Sequence, residues 1–237
     1  MNQSANNQSE QDRIRDVYRA WHGGKPVPEY AWHRAEVMEQ VASQNRVIGQ
    51  LLAATLGPDL ASVGALDVGC GTGRFLRQLI GWGAQPDNLL GTEYQQDRLD
   101  EARLRTAAGV RWHLGDLDFA EAKTFDLVAA STVFSSILDE SARTALAIEM
   151  WRVLKPGGWC LIFDFRYNNP TNPNVRKVTL SQLRAYWPTT VHHYQTVQLA
   201  PPIARRLARA PRLLTELLVT LMPALRSHFV YMARKDG

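Results

Sequence analysis

The stretch ALDVGCGTGRFLRQL, residues 65–79, constrains the fold more than any other part of the chain. Residues 63–68 form a short apolar run rich in Val and Leu, as expected of a strand buried on both faces. Phe75, Leu76, Leu79 and Ile80 then recur at helical spacing, so the intervening loop joins a strand to a helix. Gly69, Gly71 and Gly73 fall at that junction, where glycine permits a left-handed backbone and a ligand's close approach to N–H groups. The pattern repeats downstream. Strands are predicted at 88–93, 110–114, 125–131 and 159–165, with helices at 95–107 and 141–154 and a KPGG turn at 155–158. Two more strands are predicted at 191–199 and 228–233, with a helical stretch over 203–221 between them. Such alternation predicts an α/β, Rossmann-like fold: a mostly parallel seven-stranded sheet, its last strand antiparallel, with helices on both faces.

The spacing of the glycines narrows the ligand. A phosphate-cradling loop needs a lysine after its glycines, and none follows here. A dinucleotide fingerprint needs G-x-G-x-x-G, and its third glycine would fall on Arg74. What stands in the chain is D-x-G-x-G-x-G, with Asp67 two residues before the first glycine. A carboxylate there repels a pyrophosphate and suits a ligand carrying positive charge. S-adenosylmethionine, with a sulfonium, an ammonium and no phosphate, fits this loop best; a tight turn without a ligand is the alternative.

Ligands of such sheets bind outside the carboxyl ends of the strands. Glu93 ends the second strand twenty residues past Gly73, where a carboxylate can accept hydrogen bonds from both ribose hydroxyls. Tyr94 follows it. Asp116, in GDLDF, ends the third strand and is a candidate acceptor for the adenine amino group; a helix N-cap is its competing role. Leu117 lies beside it, and Ser131 ends the fourth strand. Asp67, Gly69, Gly71, Gly73, Glu93, Tyr94, Asp116, Leu117 and Ser131 are therefore the expected cofactor contacts. Asp164, followed by FRYNNPTN, ends the fifth strand, where Arg166, Asn168, Asn169 and Asn172 either bond an acceptor or build a turn.

Composition sets outer limits. The chain has 237 residues, 45% hydrophobic and 21% charged, enough for one domain with a substantial core. Residues 1–11 are polar, without a basic start or apolar segment, and are expected to be a disordered tail rather than a signal peptide. Residues 12–60 are expected to form a helical lid, in which Tyr30, Trp32 and His33 close over the cofactor and Arg46 pairs with its methionine carboxylate. The catalytic unit is expected over 61–237, with a helical insertion at about 200–226. Residues 213–225, the most apolar run, are broken by Glu216 and Pro223 and too short to span a bilayer. Cys70 and Cys160, the only cysteines, stand in no metal-type spacing, so no zinc site or disulfide framework is expected and a cytoplasmic setting fits. Net charge is +4, and the residues from 200 onward carry seven Lys and Arg against two acids. That basic end suits an anionic acceptor, a membrane surface or nucleic acid, unless it is simply a solvated face.

Taken together, LDVGCGTGRFL, GTEY, GDL, FDLVAASTVF and WRVLKPGGWCLIFDF resemble the class I S-adenosylmethionine-dependent methyltransferases over about residues 60–165. YAWH, FSSILD, EMWRVLKPGG, YNNPTNPNVR, LAPPIARRLA and LRSHFVYMARK further resemble members associated with bacterial polysaccharide and glycoconjugate biosynthesis. The resemblance implies O-methylation of a small-molecule or saccharide hydroxyl. Methyl transfer from a sulfonium is an in-line displacement, and a hydroxyl nucleophile must also lose its proton. Asp164 and His228 are the candidate bases, while His113, His192 and His193 are expected to be structural. The metal-dependent O-methyltransferases place an acid after the fourth strand, where this chain has Ser131, so no metal is expected. Two alternatives remain: a nucleic-acid methyltransferase using the basic end, and a partner subunit that binds the cofactor without catalysis. ASTVF, in place of a [DNS]-P-P-[FYW] motif, disfavours nucleic acid.

Overall fold

The computed structural model describes residues 2–21, 34–170, 172–200, 203–204, 206 and 221–237. The helices are α1 (Asn2–Trp21), α2 (Ala35–Leu56), α3 (Arg74–Gly81), α4 (Gln96–Arg105), α5 (Glu140–Val153) and α6 (Leu180–Tyr186). The strands are β1 (Ala65–Val68), β2 (Leu89–Glu93), β3 (Arg111–Leu114), β4 (Phe125–Ser131), β5 (Leu154–Phe165), β6 (His192–Leu199) and β7 (Arg226–Arg234). They form one sheet of order β3-β2-β1-β4-β5-β7-β6. The first five strands are mutually parallel, and β7 runs antiparallel to both β5 and β6. The predicted fold class is the observed one.

Alternation along the strands divides the core. Leu66, Val128, Ile162 and Tyr231 pack against Ala147 and Met150 of α5 and Leu183 of α6. Leu89, Leu127, Leu161 and Met232 pack on the other face against Val47, Ile48 and Leu52 of α2 and Leu76 and Leu79 of α3. The burial of those three α2 residues makes it a layer of the core, so the expected lid over 12–60 is corrected for this helix. Tyr30, Trp32 and His33 lie outside the described residues, as does most of the helical insertion.

Other departures have local causes. The KPGG segment lies within β5 as a bulge, because Phe125 pairs with Leu154 and Leu127 with Trp159. Helix α6 is not among the predicted elements, although Thr179 and Gln182 form a capping box at its start. Residues 2–11, expected as a disordered tail, belong to α1. Its polar composition hides its attachments, which are hydrogen bonds to distant loops rather than an apolar stripe.

Candidate functional site

The parallel strands end on one rim, where the connecting loops open into a cavity of about 430 Å³, within the range of small-molecule sites. At its centre is the loop after β1. Gly69, Gly71 and Gly73 all take left-handed φ, of 63°, 56° and 78°. A Cβ on Gly69 would stand 2.7 Å from Val133 Cγ2, so only glycine lets this loop meet the segment after β4. Glu93, 7% exposed, holds the loop in place. Its Oε2 accepts the Gly71 N–H at 2.9 Å, and its Oε1 accepts those of Tyr94 at 2.8 Å and Gln95 at 3.2 Å. With four lone-pair sites and three taken, it retains one for a ligand donor.

Asp67 is 2% exposed, and its Oδ1 has no hydrogen-bond partner among the described residues. Burial and then the neighbouring Glu93 carboxylate push its pKa up to about 8, against the opposing pull of Arg74. A buried carboxyl with an unused oxygen, two residues before the glycine loop, suits a cationic group.

At the next strand end the Tyr94 hydroxyl donates to Asp116 Oδ1. Burial, followed by that carboxylate, raises the phenol, so it stays protonated as a donor. Gln11 of α1 reaches the same carboxylate, its Nε2 donating to Asp116 Oδ2 at 2.9 Å and Oδ1 at 3.2 Å. Glu10, Gln11 and Ile14 thus join Leu117 and Ser131 in the lining of the cavity. Beyond Ser131, Thr132 adopts a left-handed φ of 56°, a conformation that a β-branched residue holds only where its surroundings enforce it.

Of the expected cofactor contacts, Gly69, Glu93, Tyr94, Asp116, Leu117 and Ser131 line the cavity, and Asp67 does not. Gly71 is tied to the lining through Glu93. Gly73 packs behind the loop, with no room for a Cβ beside Trp112 and Ala102. Arg46 sits exposed on α2 and is not in the lining. The two candidate bases are corrected. Both oxygens of Asp164 accept backbone N–H groups, from Ser135 at 3.0 Å and Phe165 at 2.8 Å, and the residue is 0% exposed. His228 is buried in β7, stacked on Phe163 at 5.0 Å and tilted against Phe165 at 4.3 Å. Burial lowers its pKa to about 4, so it is neutral at pH 7, and neither residue lines the cavity. Missed in the sequence were Glu10, Gln11 and Ile14, whose polar helix gave no signal, and Thr132, whose strain is invisible without coordinates.

Among the described residues no group of three or more His, Cys, Asp or Glu is placed to hold a metal ion. No described helix is long and apolar enough to cross a membrane.

Comparison with known proteins adds to this geometry. Residues 65–158 match the protein family described as methyltransferase domain. The chain is 35% identical over 136 residues to the biotin biosynthesis bifunctional protein BioHC of Cellvibrio japonicus, covering 56% of this chain and 26% of that protein. It is 30% identical over 140 residues to the demethylmenaquinone methyltransferase of Deinococcus radiodurans, covering 56% and 49% respectively. The chain thus spans from about a quarter to about half the length of these relatives. In fold it is similar to phosphoethanolamine N-methyltransferase 2 of Haemonchus contortus, solved with S-adenosyl-L-methionine. That match has a TM-score of 0.64 and 19% identity over 94% of this chain and 60% of the other. Residues 65–158 are thus similar to a methyltransferase domain, and the chain shares its Rossmann-like fold with a methyltransferase solved with S-adenosyl-L-methionine.

Proposed function

We propose that the chain transfers a methyl group from S-adenosylmethionine to a small-molecule acceptor, at a hydroxyl oxygen of a saccharide or glycoconjugate. The observation that carries the cofactor part is the strand-end cavity, lined by Gly69 of the glycine loop together with Glu93 and Asp116, with the unpartnered Asp67 oxygen buried two residues before Gly69. In this reading Asp67 neutralises the cofactor's ammonium and Glu93 orients the ribose through its remaining acceptor site. Asp116, fixed by Tyr94, takes the adenine amino group. Leu117, Ile137 and Ile14 of α1 supply apolar lining. The cofactor supplies an electrophilic methyl on a sulfonium with a good leaving group. The chain contributes alignment, which is worth several kcal/mol in such displacements. Asp164 and His228 do not act as bases in this reading, since neither lines the cavity.

The acceptor class is favoured by the resemblance of the flanking stretches to glycoconjugate-associated enzymes, and small molecules generally by the names of the matched relatives. Calorimetry should show binding of S-adenosylhomocysteine, the demethylated product, and none of NAD. Incubation with cofactor labelled at the methyl, followed by fractionation of a cell extract, should place label in a saccharide-containing fraction as an ether. Label recovered in RNA, or on carbon, would replace this acceptor; absence of product binding would remove the cofactor reading.

A further inference from the structure

The segment 132–138 follows β4 and forms one side of the cavity. Charged groups hold its backbone from two sides. From within the core, Asp164 accepts the Ser135 N–H at 3.0 Å and Arg143 Nε donates to the Ile137 carbonyl at 2.6 Å. From outside, Glu10 Oε1 accepts the Leu138 N–H at 2.6 Å and Arg13 Nη2 donates to the Ser136 carbonyl at 2.5 Å. Glu10 and Arg13 are joined by two hydrogen bonds of 2.8 and 2.9 Å, one helical turn apart on α1. Gln11, between them, bonds to Asp116 at the opposite rim.

We propose that Glu10, Gln11 and Arg13 are positioning residues, which make α1 a strut between the cofactor rim at Asp116 and the wall at 135–138. The inner clamp cannot do this alone, because Asp164 and Arg143 touch only one side of the wall and never the β3 end. The outer pair is stiff enough for a strut, since a planar guanidinium bonded twice to one carboxylate fixes both side chains. Burial of Glu10 opposes its charge, but Arg13 and the Leu138 amide outweigh that and hold its pKa below the usual carboxylate range. The pair is only partly exposed, at 27% and 11% for the two side chains, so solvent screens it less than a typical surface ion pair. A ligand that engages Asp116 therefore also orders the wall that an acceptor must meet. Order at the two rims is one coupled property, carried by three residues of a single helix.

The coupling rests on the cofactor reading above, and the test separates the two. Amide hydrogen exchange is followed in the full chain with and without S-adenosylhomocysteine, beside calorimetry of the same samples. Without ligand, Arg13→Gln and Glu10→Gln should speed exchange at the Leu138 amide about tenfold, the scale expected when a charge-assisted bond is lost. Amides of β1 and β4 should not change, which shows the sheet intact. Arg13→Lys should restore part of the protection. Gln11→Ala should leave the ligand-free wall as it is, weaken product binding about threefold, and abolish the extra protection that product gives the wall. Unchanged exchange at Leu138 in both clamp variants would overturn the strut. So would equal ligand-induced protection in Gln11→Ala and the parent. If the parent does not bind the product, the functional reading falls, while the ligand-free arm still decides the clamp.

Discussion

The two walls of the cavity are built by different physics. The wall at the ends of β1, β2 and β3 is backbone: left-handed glycines, a carboxylate that accepts three N–H groups, and strands paired in register. The wall made by α1 and the segment after β4 is side chain: Glu10, Arg13, Arg143 and Asp164 hold a short run of carbonyl and amide groups. The first cannot move without disturbing the sheet. Of the second, α1 can be released by breaking a few bonds, while Phe134 keeps the segment after β4 in the core. A rigid rim and a releasable helix α1 that completes the cavity form a division of labour suited to admitting ligands.

The largest effect should come from breaking the rigid half. Glu93→Ala strands three N–H groups and removes the ribose acceptor. Product affinity should fall by about 1.5–3 kcal/mol, and stability by about 2 kcal/mol or more. Calorimetry and denaturant unfolding read the two separately. Unchanged affinity would place the ribose elsewhere.

A change of pH probes the same half without a mutation. The Asp67 carboxyl is raised from an ordinary 3.8 to about 8 in the folded chain. A raised acid is protonated in the native state, so its contribution to stability is full below 3.8 and is lost as pH rises through about 8. The ligand-free protein should therefore lose stability across that window on this residue's account, and Asp67→Asn should flatten the profile. A cationic ligand favours the ionised carboxylate, so binding expels the proton. Cofactor affinity should drop about tenfold for each unit that pH falls below the raised pKa. Repeating the calorimetry in buffers of different ionisation enthalpy counts the protons released. Affinity that is flat with pH in the parent would remove Asp67 from the cationic contact.

Releasing α1 should give a smaller effect. Deleting residues 1–21 removes Glu10, Gln11 and Arg13 together, while the core residues of α2 and the sheet remain. Product affinity should fall about fivefold, the worth of one net hydrogen bond. The far-ultraviolet spectrum of the rest of the chain should be retained. An affinity equal to the parent's would make α1 a bystander, as expected from composition alone.

That last contrast shows what the sequence made legible. The rigid wall rests on local grammar: an apolar run, glycines at fixed offsets, and acids at strand ends, all within a few residues of each other. Strands, loop and cofactor class could therefore be read in order along the chain. The other wall rests on contacts between positions far apart, such as Gln11 with Asp116 and Glu10 with Leu138, separated by 105 and 128 residues. Periodicity carries no trace of such pairs, so residues 1–11 look merely polar. His228 misleads for the opposite reason. A histidine near a strand start reads as a base, but flanking aromatics bury it, and a neutral ring between Phe163 and Phe165 is a packing element.

The smallest effect separates two arginines. Arg46 is expected from the sequence to meet the cofactor's carboxylate, yet it stands exposed on α2. Arg74 begins α3 directly after Gly73, and its guanidinium donates to Gln44 Oε1 at 2.9 Å. It also acts electrostatically on Asp67, so a cation and an unpartnered carboxylate oxygen stand near one another at the loop. That arrangement matches the two charges of an amino acid, which Arg46 on its exposed face does not. Arg46→Gln should change product affinity by less than about 0.5 kcal/mol, as for other surface substitutions. Arg74→Gln should cost about 1 kcal/mol, on the scale of one lost hydrogen bond. The check is 5′-methylthioadenosine, which shares the adenosine but lacks the amino-acid end. Its affinity should be the same in the parent and in Arg74→Gln. If Arg46→Gln proves the more damaging, and only for the ligand with the amino-acid end, the carboxylate lies with α2 and the expectation for Arg46 is restored.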